Sequence, residues 1–178
     1  MKTQKNLSVY VVDDDKMFVT ALTHKLEKFS NTSIHSFETG EQCLETFMDE
    51  GKKIIPERVP DILILDYYLN STYPEAMNGM QVLKKVLRAK PETKVIMLSV
   101  QDNMDVAVDT IKNGAYDYII KNDKVFLRAR HVVSNATKAV IDHKNLKLYK
   151  LWSRLIIGGL LALITIGIVL ETNFSNGF

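Results

Sequence analysis

The sequence predicts an α/β fold in which a doubly wound, five-stranded parallel sheet is followed by a C-terminal transmembrane helix. Three features of the 178-residue chain support this prediction. Five short apolar runs alternate with amphipathic stretches as far as residue 145. The first and third runs are apolar almost throughout, which is typical of strands buried on both faces of a sheet. Residues 155–170 carry no charged side chain, as expected of a segment in lipid.

The predicted strands come from runs rich in Val, Ile, Leu and Tyr. They cover residues 7–12, 32–37, 61–65, 94–98 and 116–120. Because strands that alternate with helices form parallel sheets with right-handed crossovers, we expect helices on both faces of the sheet. Asp61 opens the third strand, and we expect its side chain to be solvated.

The predicted helices place apolar side chains at helical spacing. In the first helix the apolar face consists of Phe18, Leu22, Leu26 and Phe29. The stretches GEQCLETFM, GMQVLKKVLRA and MDVAVDTIKNG repeat this period. Asp15 suits the N-cap of the first helix, and Gly114 stands where a helix C-terminus favours glycine. A last helix begins at about Lys124 and continues without proline or glycine to residue 154.

Charge is distributed unevenly along the chain. The formal net charge is +2, but residues 1–120 carry 14 Lys and Arg against 18 Asp and Glu, and residues 121–154 carry 9 against 2. The first part is therefore mildly acidic and the second is basic. Cys43 is the only cysteine, which excludes an internal disulfide and a cysteine-based zinc site and favours a reducing compartment.

Polar side chains follow four of the five predicted strands, at the point where each strand ends. They are Asp13, Asp14 and Asp15 after the first strand, Asp66 after the third, Ser99 after the fourth and Lys121 after the fifth. In open α/β sheets, ligands bind outside the carboxyl ends of the strands. The sequence therefore predicts a binding site at this edge.

The acidic residues at this edge predict a divalent cation site. A carboxylate that attacks a phosphoryl donor brings like charges together, and each such pair costs about 4 kcal/mol at 4 Å and an effective dielectric constant near 20. Mg²⁺ prefers oxygen ligands and commonly takes carboxylates together with phosphate oxygens. Asp13, Asp14 and Asp66 would supply carboxylates, and the main-chain carbonyl of Tyr68 would supply another oxygen.

Two further groups at the strand ends suit a phosphoryl anion. The ammonium of Lys121 would neutralise its oxygens as a compact charge. The hydroxyl of Ser99 would donate a hydrogen bond to the same oxygens.

Four motifs, in order and at the ends of successive strands, carry a family resemblance. VYVVDDDKM, DILILDYYL, KVIMLS and NGAYDYIIK resemble the response-regulator receiver domain, of the kind seen in chemotaxis receivers, over about residues 6–140. The resemblance implies a flavodoxin-like sheet with strand order 2-1-3-4-5.

The resemblance also implies a role for each site residue. Asp66 would accept the phosphoryl group, and the first two acids after the first strand would hold Mg²⁺. Lys121 would contact the phosphoryl group, Ser99 would reorient toward it, and the rotamer of Tyr118 would follow. The donor would be a sensor histidine kinase or a phosphotransfer protein. The chain would then be a phosphoacceptor with at most slow self-dephosphorylation, not an enzyme.

The chain departs from the family pattern in three places. The family usually has proline four residues after the acceptor and another after the lysine, where this chain has Asn70 and Asn122. An insert over residues 67–78 lengthens the loop that follows the acceptor. We therefore expect a loop of different shape, or a retained strained one, after Lys121.

The C-terminal region predicts a membrane anchor. We divide the chain into a receiver domain (1–140), a basic helical neck (141–154), a transmembrane helix (155–172) and a short tail (173–178). Trp152 and Arg154 are placed like interfacial residues. The basic neck favours contact with anionic lipid over contact with nucleic acid. We expect a single-pass protein of the cytoplasmic (inner) membrane with its N-terminal domain in the cytoplasm; a buried core helix is the alternative.

Two other functions remain open at this point. One is a receiver-like interaction module that works without phosphorylation, or a subunit or fragment of a larger membrane signalling complex with a downstream protein still to be identified. The other is an aspartyl phosphatase or phosphotransferase, which ordinarily has a second acid two residues after the nucleophile. Tyr68 occupies that position.

Overall fold

A computed structural model describes residues 7–27, 32–69, 75–100 and 103–175, with side chains described in the last helix as far as residue 162 and at residue 165. Eleven elements follow one another in these ranges. They are β1 (Leu7–Val12), α1 (Lys16–Leu26), β2 (Thr32–Phe37), α2 (Gly40–Glu45), a 3-10 turn (Pro56–Arg58), β3 (Ile62–Asp66), α3 (Gly79–Ala89), β4 (Lys94–Ser99), α4 (Met104–Lys112), β5 (Asp117–Ile120) and α5 (Val125–Ser175).

The five strands form one parallel sheet in the order β2-β1-β3-β4-β5. This confirms the predicted five-stranded parallel α/β sheet and its strand order, and the observed strand bounds differ from the predicted ones by at most one residue. Val12 pairs with Leu65, Asp66 with Leu98 and Ser99 with Ile120. The strands that precede the predicted site residues therefore end at one edge of the sheet.

Side chains on both faces of the sheet are buried, as a doubly wound fold requires. All five residues of β3 are buried. One face packs against α1 and α5 and contains Val9, Ile64 and Leu22, while the other packs against α2 and α3 and contains Leu65 and Val82. Each fully buried Val, Leu or Ile contributes about 1.5 to 3 kcal/mol of hydrophobic stabilisation, so packing on both faces of the sheet stabilises the fold.

The helix ends follow the predicted capping pattern. Asp15 Oδ1 accepts hydrogen bonds from the amides of Met17 and Phe18 at 2.9 and 3.0 Å. Gly114, two residues after the end of α4, has a φ of 98°, a conformation that residues with a Cβ rarely adopt. Leu22 and Leu26 are buried as predicted. Phe29 lies outside the described residues.

Asp61 was expected to be solvated, and this prediction is wrong. Its side chain is buried, and its Oδ1 lies 3.2 Å from the ammonium of Lys90. Asp61 Oδ2 also accepts a hydrogen bond of 3.3 Å from the amide of Ser8. The carboxylate lies at the end of the sheet opposite the predicted site. Its ion pair with Lys90 offsets the free-energy cost of burying its charge.

Residues up to Val140 form one compact unit, and the chain from Ile141 onward forms a second. Among the residues whose side chains are described, no helix has the length and apolar character needed to cross a membrane. The predicted transmembrane helix is therefore not supported by that part of the chain. The side chains of residues 163, 164 and 166–172 of the predicted span lie outside the described residues.

Candidate functional site

Three carboxylates meet at the carboxyl ends of β1 and β3. One oxygen from each of Asp13, Asp14 and Asp66 lies within 4.8 Å of the other two. The backbone fixes two of them. The amide of Asp13 donates to the carbonyl of Phe37 at 3.1 Å, and the amide of Tyr67, next to Asp66, donates to the carbonyl of Leu98 at 2.8 Å. The acids predicted from the strand ends therefore converge in space.

Lys121 places its ammonium between two of these carboxylates. Its Nζ lies 2.7 Å from Asp13 Oδ2 and 3.0 Å from Asp66 Oδ1. The main chain holds the lysine in place, because its amide donates to the carbonyl of Ser99 at 2.7 Å. Within the described part of the chain, these two buried carboxylate oxygens have no hydrogen-bond partner apart from this ion pair.

Burial and the ion pairs with Lys121 shift the pKa values of the site residues in opposite directions. Asp13 and Asp66 are 1% and 4% exposed. Burial raises the pKa of Asp66 to about 6, although the charge of Lys121 opposes the shift. Burial likewise raises the pKa of Asp13 against the opposing effect of Lys121. For Lys121, burial lowers the pKa, but the charges of Asp66 and Asp13 outweigh this and the pKa is raised. Lys121 therefore stays charged.

The donor set fits a hard divalent cation. Among the described residues, Asp13 Oδ2 and Asp66 Oδ1 are buried acceptors that pair with one ammonium, and Asp14 adds a third carboxylate within 4.8 Å. Oxygen-only ligands of this charge suit Mg²⁺. The role of the main-chain carbonyl of Tyr68 as a ligand remains a prediction.

Ser99 ends β4, the strand next to β3, and Tyr118 lies in β5, one strand further from the acids. Ser99 is fully buried at the end of its strand. Tyr118 is 8% exposed. It lines a cavity of about 220 Å³ together with Asn103, Met104, Ala107, Ile120, Asn122 and Arg128. The predicted switch residue is therefore buried, next to a space that opens on the surface of α4 and α5.

The loop after Asp66 makes close contacts with its neighbours. The rings of Tyr67 and Tyr68 meet edge to face, with centroids 4.8 Å apart. The amide of Gly79 donates to the carbonyl of Tyr67 at 3.0 Å, and a Cβ at Gly79 would overlap the carbonyl oxygen of Asp66. Asn70 and the neighbouring residues 71–74 lie outside the described residues.

The loop after Lys121 leads directly into α5. The Lys121–Asn122 peptide bond is trans, since no cis bond occurs in the described ranges. The carbonyl of Asn122 accepts the amide of Val125 at 2.8 Å, which begins α5.

Phe18 is a site residue that the sequence reasoning missed. We assigned it only to the apolar face of α1, but the centroid of its ring lies 4.7 Å from Lys121 Nζ. The available signal was its position in the first turn of α1, directly after the acids. Nothing in the sequence alone connects that position with a lysine more than 100 residues away.

Comparison with known proteins agrees with the fold and the site. The family model of the response regulator receiver domain matches residues 9–130. The photosynthetic apparatus regulatory protein RegA of Rhodobacter capsulatus is 32% identical over 64% of this chain and 54% of its own length. The chemotaxis protein CheY of Listeria monocytogenes is 33% identical over 62% of this chain and 83% of its own length. The chain thus spans about half the length of RegA and most of CheY.

Solved structures show the same fold. The signal receiver domain of a LuxO repressor protein from Vibrio parahaemolyticus covers 78% of this chain and 95% of its own, with a TM-score of 0.61 at 22% identity. A CheY-like receiver domain from Methanospirillum hungatei gives a TM-score of 0.59 at 19% identity, covering 76% of this chain and 98% of its own.

The family match covers more than half of the chain, and the observed strand order and acidic cluster agree with it. The chain therefore belongs to the response regulator receiver domain family, whose members take phosphoryl groups from histidine kinases or phosphotransfer proteins onto an aspartate and bind Mg²⁺ in an acidic pocket.

Proposed function

We propose that this chain is a two-component response regulator whose Asp66 accepts a phosphoryl group from a sensor histidine kinase or a phosphotransfer protein. The observation that carries the proposal is the position of Asp66: it is buried at the end of β3, 3.0 Å from Lys121, with two further carboxylates within 4.8 Å. This arrangement supplies a nucleophile, a cation site and a fixed positive charge together.

Asp66 is a better acceptor than Asp13 because of how their oxygens are engaged. Asp13 Oδ1 accepts the amide of Asp15 at 3.1 Å, and Asp13 Oδ2 pairs with Lys121 at 2.7 Å, so both of its oxygens are used. Asp66 pairs with the same ammonium through Oδ1, at the longer distance of 3.0 Å. With a pKa of about 6, its carboxylate is mainly ionised at neutral pH, as a nucleophile must be.

The transfer requires little of the protein beyond positioning. One carboxylate oxygen of Asp66 bonds to phosphorus while the phosphorus–nitrogen bond of the donor phosphohistidine breaks, and the imidazole leaves with that electron pair and is then protonated. Mg²⁺, when bound, supplies positive charge that offsets the repulsion between the carboxylates and the phosphoryl oxygens. Lys121 turns from Asp66 toward the phosphoryl oxygens, and the Ser99 hydroxyl donates to one of them.

We further propose that the chain is a phosphoacceptor and not an enzyme. A phosphatase of the aspartyl type uses a second acid two positions after the nucleophile, and Tyr68 stands there. Burial, together with neighbouring Tyr67, raises the pKa of the Tyr68 phenol, so it does not act as a base at neutral pH. Return of the phosphoryl group to water is then slow.

The output surface that we propose lies around Tyr118, α4 and the start of α5. Met104, Val108, Ile111 and Leu127 expose 42 to 75% of their surface there. Movement of Ser99 toward the phosphoryl group would leave room for Tyr118 to turn inward and reshape the adjoining cavity. A downstream protein that reads this face remains to be identified.

We also propose that the C-terminal segment tethers the receiver to the cytoplasmic membrane, with the receiver on the cytoplasmic side. The support is the uncharged run of residues 155–170, which follows the basic neck. In addition, Leu155, Ile156 and Leu160 are each more than half exposed. Lys144, Lys147, Lys150 and Arg154 suit contact with anionic headgroups at about 1 kcal/mol per charge, and we propose no nucleic-acid partner. Membrane fractionation of the full chain against a chain ending at residue 154 tests this.

One observation favours a second function. The Lys121–Asn122 bond is trans, and the prolines usual in the family are replaced at positions 70 and 122. A chain with an altered lysine loop could act as a phosphorylation-independent interaction module or as a subunit of a larger membrane signalling complex. Failure to bind Mg²⁺ at millimolar concentration would favour this alternative.

The test of the main proposal is incubation with acetyl phosphate and Mg²⁺, followed by intact mass measurement. The wild-type chain should gain one phosphoryl group, and Asp66→Asn should gain none. Asp61→Asn is the matched control, since Asp61 is also a buried, lysine-paired carboxylate but lies at the opposite end of β3. Equal labelling of Asp66→Asn and the wild type would refute the assignment.

A further inference from the structure

We propose that Phe18 is a positioning residue for phosphoryl transfer, whose ring face holds the Lys121 ammonium over the acidic pocket. This inference rests on the proposed function, because it assigns Phe18 a role in the same reaction. It adds an aromatic group on α1 to a site that otherwise consists of carboxylates, a hydroxyl and an ammonium.

The geometry is that of a cation–π contact. Lys121 Nζ lies 4.7 Å from the ring centroid of Phe18, inside the distance of about 6 Å at which such contacts are significant. The Lys121 side chain is 12% exposed, so water screens the contact little. The ammonium is held by three groups at once: the carboxylates of Asp13 and Asp66 and the ring.

The ring itself is fixed on two sides. The amide of Phe18 donates to the N-cap Asp15 at 3.0 Å, which sets its place in the first turn of α1. Its ring stacks on Phe126 of α5, with centroids 5.4 Å apart and planes 25° from parallel. Both rings are half-buried and pack against the core on that face of the sheet. The plane of the Phe18 ring is therefore set independently of the lysine.

A ring suits this task better than another polar group. The lysine side chain has a flexible stem, so its ammonium must be confined to be useful. A further acceptor oxygen would compete with the phosphoryl oxygens for the N–H donors of Lys121. The face of a ring attracts the charge without forming a strong hydrogen bond, so the donors remain available when the phosphoryl group arrives.

If Phe18 served only in packing, a change in the charge of its ring face that kept its shape would leave the rate of phosphoryl uptake unchanged. Site-specific incorporation of 3,4,5-trifluorophenylalanine at position 18 keeps the ring and its stack but removes most of the negative charge of the ring face. The initial rate of phosphoryl uptake from acetyl phosphate at saturating Mg²⁺ should fall by about twofold to 30-fold, the range expected for loss of a cation–π contact. The same residue at position 126, whose ring has no cation over it among the described residues, is the matched control and should leave the rate unchanged.

Genetically encoded variants provide a second test. Phe18→Tyr keeps an electron-rich ring and should retain the wild-type rate, whereas Phe18→Leu should lower it to the same extent as the fluorinated ring. Melting temperatures of all variants check that the fold is intact. An unchanged rate with the fluorinated ring at position 18, or an equal loss at position 126, overturns the inference while wild-type labelling upholds the proposed function. Absence of labelling in the wild type overturns both.

Discussion

The ammonium of Lys121 lies 3.0 Å from Oδ1 of Asp66 in a site where both side chains are almost completely buried. The ion pair compensates the carboxylate only in part, since burial still raises the pKa of Asp66 to about 6. The site therefore holds more negative charge than one lysine neutralises. That excess destabilises the fold and at the same time creates affinity for a divalent cation.

The first prediction is that Asp66→Asn stabilises the metal-free protein at neutral pH. In the unfolded chain Asp66 has its ordinary pKa of 3.8, and in the folded chain it has a pKa of about 6. Between these values the folded state binds more protons, so the free energy of unfolding falls as pH rises through this window and levels off above it. The asparagine does not titrate, and in EDTA at about pH 7.5 it should be about 1 to 3 kcal/mol more stable than the wild type.

Urea denaturation at several pH values measures this difference. The advantage of Asp66→Asn should shrink toward about pH 4 as the wild-type carboxyl becomes protonated. It should also shrink when Mg²⁺ is added to both proteins, because only the wild type has the full set of ligands. An advantage that is the same at every pH would show that charge is not its cause.

The second prediction concerns the positive charge. Lys121→Met removes the only cation paired with Asp13 and Asp66 among the described residues, and breaking a buried pair in this way typically costs roughly 3 to 5 kcal/mol. The pKa of Asp66 should move further above about 6, because the group that opposes its rise is lost. Thermal unfolding at neutral pH should show a clear loss of stability that Mg²⁺ partly restores.

Lys90→Met is the matched control for Lys121→Met. Lys90 also pairs with a buried carboxylate, at 3.2 Å from Asp61, but at the other end of the sheet. Lys90→Met should lower the free energy of unfolding, and Mg²⁺ should restore none of that loss. Equal rescue of the two variants would mean that Mg²⁺ stabilises the fold somewhere other than the acidic pocket.

The third prediction separates Asp15 from the metal ligands beside it. Asp15 Oδ1 accepts two amides of the first turn of α1, at 2.9 and 3.0 Å, and is a helix cap. Asp15→Ala should lower the free energy of unfolding by about 1 kcal/mol, while Asp15→Ser, which keeps a capping oxygen, should lose much less. Calorimetric titration should give both variants the Mg²⁺ affinity of the wild type to within about twofold, since the loss is confined to the cap. A loss of Mg²⁺ binding similar to that of Asp13→Ala would contradict the capping role.

Much of the fold could be predicted because its signals are local. The strands are short apolar runs, and the polar residues at their ends mark one edge of the sheet. Asp13, Asp66, Ser99 and Lys121 could therefore be placed together from the sequence alone. Asp15 was assignable as a cap from its position alone. These inferences need only the alternation of strands and helices and the parallel direction that follows from it.

What the sequence could not show depends on contacts between distant residues. Asp61 precedes a strand, where an acidic side chain is usually solvated. Its burial depends on an ion pair with Lys90, 29 positions later in the sequence. Phe18 fits a helix face so well that nothing suggests its contact with Lys121. The start of α3 contacts the end of β3 through Gly79, whose amide donates to the carbonyl of Tyr67. In each case the partner is selected by tertiary packing, which periodicity does not encode.

The fourth prediction tests the contact of Gly79 with Asp66 and Tyr67. A Cβ at Gly79 would overlap the carbonyl oxygen of Asp66 and lie 2.9 Å from Cα of Tyr67, and neither backbone atom can move without shifting the acceptor. Gly79→Ala should therefore cost about 1 to 3 kcal/mol of stability despite the better helix propensity of alanine. It should also slow phosphoryl uptake by Asp66. At Gly51 a Cβ would meet only Asp49 Oδ1, at an ordinary 3.4 Å, so Gly51→Ala is the matched control. Wild-type stability and labelling in Gly79→Ala would show that the contact between α3 and the acceptor strand is looser than the structure describes.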